Sequence, residues 1–228
     1  MTDTRHPSVW LLMDDRAGNR SQCLGVAEVL GLRYEIHDLD YTAAAALPNF
    51  VMGKTFSGLS ASSRINMVPP WPDIIIAAGR RASPVARHIK DLNGGQTFLV
   101  QIMYPGETGL DEFDLVCTPR HDSIPDGSNI LQIDGAPHRV TETRLGHAAE
   151  EWRDRLGSLP QPRIALIVGG STKRRKFTEE MARELGAAAS KMASAVGGSL
   201  MVTTSRRSDV TADALIAEID VARDVFKW

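Results

Sequence analysis

The chain has only two cysteines, Cys23 and Cys117, and neither sits at a metal-ligand spacing. This excludes a disulfide framework and a structural zinc site as organising devices. No apolar run reaches membrane-spanning length, and no apolar signal segment opens the sequence. A reducing, cytoplasmic compartment is therefore expected. The formal net charge is only −2 over 228 residues, so there is no excess of one sign to drive binding to nucleic acid or to an acidic membrane. The Walker A spacing is absent, and so is the dinucleotide fingerprint Gly-x-Gly-x-x-Gly. The first strand is not followed by Gly-x-x-Gly-x-x-Gly, and there is no Tyr-x-x-x-Lys pair. These absences argue against an NAD-using sugar-nucleotide epimerase.

What is present is concentrated near residue 169. An apolar run of strand length, Ile164-Ala165-Leu166-Ile167-Val168, enters the small loop Gly169-Gly170-Ser171-Thr172 and then the basic cluster Lys173-Arg174-Arg175-Lys176. A helical pattern follows. Glycines let backbone amides approach an anion, a helix start adds partial positive charge, and Lys or Arg adds full charge. The order points to a phosphorylated small molecule, a nucleotide or nucleotide-sugar.

Strand-like and helix-like segments alternate along the chain. Strands are expected over 8–13, 34–38, 73–78, 97–102, 115–118 and 130–133. The first helix is expected to be capped by Asn19, with Gln22 at capping-box spacing, and to stop at Gly31. Ser83-Pro84 reads as the N-cap and first residue of another helix. A helical face over 51–59 would gather Val51, Met52, Thr55, Phe56 and Leu59. Spacing from Leu145 to Leu156 predicts a helix, and 157–162 reads as a linker. The pattern then restarts, with strands at 164–168 and 199–204, helices at 178–196 and about 211–223, and a strand-like ending over 225–228. This is an α/β chain with mainly parallel strands. The expected domains are 1–157 and a shorter, apparently cut-off 163–228. An incomplete second sheet leaves an unpaired edge, so a homo-oligomer through that edge is expected.

In such sheets ligands bind beyond the carboxyl ends of the strands, where the polar clusters fall. Asp14-Asp15-Arg16-Ala17-Gly18-Asn19, Gly79-Arg80-Arg81-Ala82-Ser83-Pro84, Pro119-Arg120-His121-Asp122, Gly169-Gly170-Ser171 and Thr203-Thr204-Ser205-Arg206-Arg207 together resemble the bacterial relatives of the plant "elongated mitochondria" fission protein. The resemblance runs along essentially the whole chain. It implies a fold similar to GT-B glycosyltransferases, with an acceptor-side Rossmann-like domain followed by a nucleotide-side one. It implies that Gly169, Gly170, Ser171 and Lys173 face donor phosphate, with Thr204, Ser205, Arg206 and Arg207 at the next strand end. The family's usual histidine in the first loop is Asn19 here, so a histidine base is lost at that position.

Asp14 or Asp15 would deprotonate an acceptor hydroxyl if burial raised its pKa. Arg16, Gly18, Asn19, Gly79, Arg80, Arg81, Ser83, His121 and Asp122 would line the acceptor side. Arg80 and Arg81 are candidates for an anionic group. His121 with Asp122 is a candidate acid/base pair, though adjacent loop residues often diverge. Phe50, Val51, Met52, Phe56 and Leu59 form either core or a patch for a lipid-linked acceptor or membrane surface. Two functions follow. One is a nucleotide-sugar-dependent glycosyltransferase needing no further cofactor or metal; the other is a non-catalytic scaffold at a membrane or envelope site.

Overall fold

The computed structural model describes residues 6–172, 175–205 and 207–227. Among these the chain divides into two compact units, 1–141 and 142–228. The expected first domain ran to 157. Residues 142–157 instead group with the second unit, because Trp152 meets Phe226 edge-on at 5.8 Å and Arg155 pairs with Asp224 at 2.7 Å.

Unit 1 holds six strands: β1 Val9–Met13, β2 Tyr34–Asp38, β3 Ile74–Ala78, β4 Phe98–Ile102, β5 Leu115–Pro119 and β6 Ile130–Ile133. They form one sheet in the order β2-β1-β3-β4-β5-β6, and every recorded pairing is parallel. β1 is buried along its whole length, as expected for a strand covered on both faces. Its alternate residues feed two cores. Val9, Leu11 and Met13 pack with Cys23 and Ala27 of helix α1 (Ala17–Leu30). Trp10 and Leu12 pack with Val85, Ala86 and Ile89 of the helix Ser83–Leu92.

Between β2 and β3 the expected 51–59 helix does not form. Two four-residue helices, α2 Asn49–Met52 and α3 Ala61–Arg64, flank a turn segment. Leu59 and Phe56 join the core, while Phe50 and Val51 are exposed, so the apolar stripe splits into two roles. The helix Ser83–Leu92, here α4, is preceded by a 3-10 turn at Arg80–Ala82. Ser83 therefore lies inside the helix rather than capping it; Pro84 sits in its first turn, where a missing N–H costs nothing.

Unit 2 contains α5 Glu142–Glu151, α6 Arg153–Gly157, β7 Arg163–Ile167, α7 Glu179–Ala195, β8 Ser199–Thr203, α8 Asp209–Ala217 and β9 Arg223–Phe226. The three strands are parallel in the order β7-β8-β9. The last expected helix is shorter than its apolar pattern suggested, because 223–226 pairs with β8 instead. Leu200, Val202, Leu215 and Ile219 are buried at the centre of this unit. Among the described residues no helix is long and apolar enough to cross a membrane.

The α7–α8 crossing depends on Gly186, where an added Cβ would lie 2.3 Å from the Leu215 carbonyl oxygen. Gly186→Ala is expected to cost roughly 1–3 kcal/mol through overpacking. Gly146→Ala, where a Cβ meets nothing within 4 Å in α5, should add roughly 0.5–1 kcal/mol. Chemical denaturation of the two variants checks both signs.

His37 stacks on Trp10 with ring centroids 3.9 Å apart. Burial holds its imidazole below the ordinary value near 6.5, against the opposing pull of Glu35 and Asp38. The unfolded chain therefore takes up the proton first as pH falls. Stability should decline below about pH 6.5, and His37→Phe should flatten the decline between neutral pH and the folded value; urea midpoints across that window read it.

Candidate functional site

β1 connects to β2 on one side, and β3 lies on its other side, so the strand order reverses at the carboxyl ends of β1 and β3. A crevice at such a switch point is where α/β sheets hold ligands. Asp14 follows β1 there and is buried. Its carboxylate accepts from the Arg16 amide at 3.0 Å, from Asn19 Nδ2 at 2.9 Å and from Arg81 Nη2 at 3.3 Å. Asn19 is not the helix cap. Arg16 takes the cap position, and no side chain caps this helix, so the Asn19 amide is free to brace Asp14 from within its first turn. Gly79 closes the arrangement from β3. It has φ 81°, and a Cβ there would lie 2.6 Å from Asn19 Nδ2, so only glycine fits.

Asp15 is exposed and pairs with Arg81. The Arg81 hydrogen bond, joined by its charge, holds the Asp15 carboxyl below the ordinary value despite slight desolvation. The expected rise in basicity through burial is therefore reversed. Arg81 lies over the Tyr41 ring at 4.5 Å, and its Nε is buried without a hydrogen-bond partner. Burial, reinforced by the Asp14 charge, pushes the Tyr41 phenol well up, so the hydroxyl keeps its proton.

Arg80 has a different job from the one expected of it. Its guanidinium donates to the carbonyls of Leu47 at 2.6 Å and Ala45 at 3.1 Å, and to Asn49 Oδ1 at 3.1 Å. Asn49 in turn donates to the Arg80 and Pro105 carbonyls. Arg80 therefore fastens the 45–49 segment and is not free for an anion. Ser83 is fully buried, with an unpartnered hydroxyl. Gly18 has no atom within 4 Å of an added Cβ, and Arg16 is exposed.

His121 and Asp122 follow β5, two strands from β3, in a 3-10 turn. His121 is exposed and 3.6 Å from Asp122, so nothing orients it toward Asp14. Asp38-Leu39-Asp40 forms an Asp-x-Asp run that starts on the last residue of β2, and Asp38 pairs with Arg20. No group of three or more His, Cys, Asp or Glu side chains suited to a metal occurs among the described residues. Burial raises both thiols, Cys23 to about 12.

The second cluster lies in unit 2. Val168 leaves β7 into Gly169, whose added Cβ would meet nothing within 4 Å, and Gly170, whose Cβ would lie 2.1 Å from the Arg207 carbonyl oxygen. Ser208 ties the loops together: its hydroxyl donates to the Gly169 carbonyl at 2.9 Å and shares a hydrogen bond with Ser205. Ser171 is not free for phosphate; its hydroxyl accepts from the Phe177 amide at 2.9 Å. Thr204 is buried at the end of β8. Gly169, Gly170, Thr172, Arg175, Lys176, Phe177, Met181 and Leu185 line a pocket of about 270 Å³. α7 begins at Glu179, where the expected 178–196 helix put it; it is capped by Thr178 and carries Glu179 and Glu180 in its first turn. Its partial positive charge is already answered. Lys173 and Arg206, expected to touch phosphate, lie outside the described residues.

A family model described as "Mitochondrial fission ELM1" matches residues 17–228. The chain belongs to this family. It is 28% identical over 136 residues to the Mitochondrial fission protein ELM1 of Arabidopsis thaliana, an overlap covering 50% of this chain and 32% of that protein. It is also 28% identical over 207 residues to an uncharacterized protein of Rickettsia prowazekii, covering 77% of this chain and 57% of the relative. The alignments thus span about a third and a little over half of these two ELM1-like relatives. Among solved structures, UDP-GlcNAc 2-epimerase from Neisseria meningitidis, bound to UDP-GlcNAc, aligns with a TM-score of 0.52 at 8% identity, covering 97% of this chain and 72% of that one. The fold of this ELM1-family chain is accordingly GT-B-like, with Rossmann-like parallel sheets.

The Asp14 network is expected to stabilise the unit rather than decorate it. Arg81→Met should cost about 2–3 kcal/mol by leaving a buried carboxylate short of a donor, and Asn19→Ala about 1–2 kcal/mol. The double variant should depart from additivity because both act on one carboxylate. Asp15→Asn at the exposed end should stay within about 0.5 kcal/mol. Urea unfolding of the four proteins checks the pattern.

Proposed function

We propose that unit 2 binds the diphosphate of a nucleotide-sugar at the Gly169 loop, as the donor side of a GT-B-like glycosyltransferase. The reaction would displace a nucleoside diphosphate from the activated sugar by an acceptor hydroxyl. One observation carries the reading: of the two glycines, Gly170 is held against the Arg207 backbone while Gly169 stays open, beside a pocket edged by Arg175 and Lys176. Open amide backbone next to cations is the chemistry that takes a phosphate. Lys173 and Arg206 would add charge to the departing diphosphate. The related fold holding UDP-GlcNAc supports a nucleotide-sugar as the ligand.

A second reading is favoured by the state of unit 1. Asp14 is surrounded by donors, Asp15 is held ionised by Arg81, and the first loop carries Asn19. Asp15, the exposed carboxylate of the pair, is thereby a weaker base than an ordinary one. The family name is one of organelle fission. A nucleotide-sugar-binding scaffold that recruits partners at a membrane, without turnover, fits these facts.

Gly169→Ala separates the two roles of the loop. It meets no steric obstacle in the fold, yet places a methyl where the anion would approach. Titration calorimetry with UDP, GDP and ADP should give a micromolar dissociation constant for one of them, weakened at least tenfold in Gly169→Ala with an unchanged melting temperature. No binding of any of the three by well-folded protein would remove the donor-site reading. Binding without sugar transfer to hydroxyl or lipid-linked acceptors would favour the scaffold.

A further inference from the structure

Between β2 and β3 the chain makes a compact loop whose ends meet. Tyr41 bridges Leu59, and the Thr42 amide donates to the Gly58 carbonyl at 2.9 Å. Loops closed in this way are packed by their own side chains and frequently carry function. The two halves of this one are held differently. After Gly53, Lys54 pairs with Asp91 at 3.1 Å and with Glu112 at 3.0 Å, and the Phe56 ring meets His88 edge-on at 4.5 Å. Phe56 and Leu59 also pack on the core of unit 1. That half is docked by both charge and apolar contact.

Before Gly53, residues 43–52 form a 3-10 turn, Ala43–Ala46, and the short helix α2. Ala45 and Asn49 are the buried residues of these two turns, so the apolar anchorage is small. The attachment is polar and passes through two side chains. Arg80 donates to the Ala45 and Leu47 carbonyls and to Asn49 Oδ1, and Asn49 donates to the Arg80 and Pro105 carbonyls. A segment with little buried apolar surface lies at the low end of local stability. It is bounded by the Thr42 neck and by Gly53, which has φ 62° and ψ −137°, a conformation that glycine takes without steric cost. Beneath the segment lies the Arg81 site. Ala45, Asn49 and Met52 meet Tyr41 and Arg81 around a cavity of about 10 Å³, far below the size of a ligand pocket. The Tyr41 hydroxyl and Arg81 Nε are buried with no hydrogen-bond partner among the described residues. Polar groups buried in that state raise the free energy of the closed form, and exposure to water relieves it.

We propose that residues 43–52 are a strap that lifts as one piece about Thr42 and Gly53, with Arg80 as its latch, and that lifting admits a ligand to Arg81 from the Tyr41 side. Arg81 Nη2 is committed to Asp14 and Asp15, so Nε is the donor that lifting makes available. The latch and the gated residue are adjacent in the chain, on the turn that follows β3. A ligand that draws on Arg81 therefore acts one residue away from the group that holds the strap down. Closure of this kind needs no large hinge, because a few terminal positions absorb the backbone change.

Ala45 is 7% exposed, so a thiol placed there is shielded until the strap lifts. In a Cys117→Ser background, Ala45→Cys should react with an aromatic disulfide reagent faster than the native Cys23, which is 1% exposed in the core under α1. The Ala45→Cys rate should depend weakly on urea and the Cys23 rate steeply, because the slope follows the surface exposed on opening. The reagent is itself of ligand size, so its arrival at Ala45 reports access to the cavity beside Arg81. Arg80→Met should raise the Ala45→Cys rate by roughly tenfold or more, through loss of hydrogen bonds from a charged donor. If Ala45→Cys disturbs the fold, hydrogen exchange of peptides spanning 43–53 in the otherwise unaltered chain should show the same acceleration in Arg80→Met. An Ala45→Cys thiol that reacts no faster than Cys23, with the same urea dependence, overturns the strap. A rate of labelling or exchange that Arg80→Met leaves unchanged overturns the latch.

Discussion

A carboxylate withdrawn from water must be met by donors, and the first loop of this chain is organised around that requirement at Asp14. The Arg16 amide, Asn19 and Arg81 each supply one. They come from the loop after β1, from the first turn of α1 and from the turn after β3. Satisfying one residue thereby fixes the relative positions of three elements. Gly79 is part of the same constraint, because any side chain there would displace the Asn19 amide. The cost is freedom of movement: a carboxylate with three donors around it is held in one position.

Unit 2 distributes its polar groups in a different way. Ser205, Ser208 and Ser171 spend their hydroxyls on loop geometry, holding the Gly169–Phe177 segment and the end of β8 in register. The Thr172, Arg175 and Phe177 amides are also taken within the loop, while Gly169, Arg175 and Lys176 edge the pocket. The N-terminus of α7 is closed to a ligand by Thr178, Glu179 and Glu180. The two units thus differ: one satisfies buried charge among side chains, the other ties its loops down with serine hydroxyls.

Much of the fold was legible in the sequence. The continuous apolar run at 74–78 reads as a strand covered on both faces, and Gly31 stops α1 in the left-handed conformation. The 41–68 segment was not legible, because its order comes from Arg80 and Asn49, long-range partners that no local period reveals. The final helix was overextended because apolar residues recur past its end, at Ile219, Val221 and Ala222, in the turn that leads into β9. At the candidate site the positions were readable and the roles were not. Nothing in a sequence distinguishes Arg80, which clasps carbonyls, from Arg81, which answers two carboxylates. Tyr41 left no signal at all: it is a single aromatic in an alanine-rich stretch, brought under Arg81 only by the tertiary fold.

Arg155 is one side chain laid along the last strand, bonded to the Val225 carbonyl and paired with Asp224. A carbonyl that already accepts from a guanidinium is not available to the amide of a further strand. Sheet extension past β9 would first have to displace that side chain, so a single arginine works as an end-stop for the ladder.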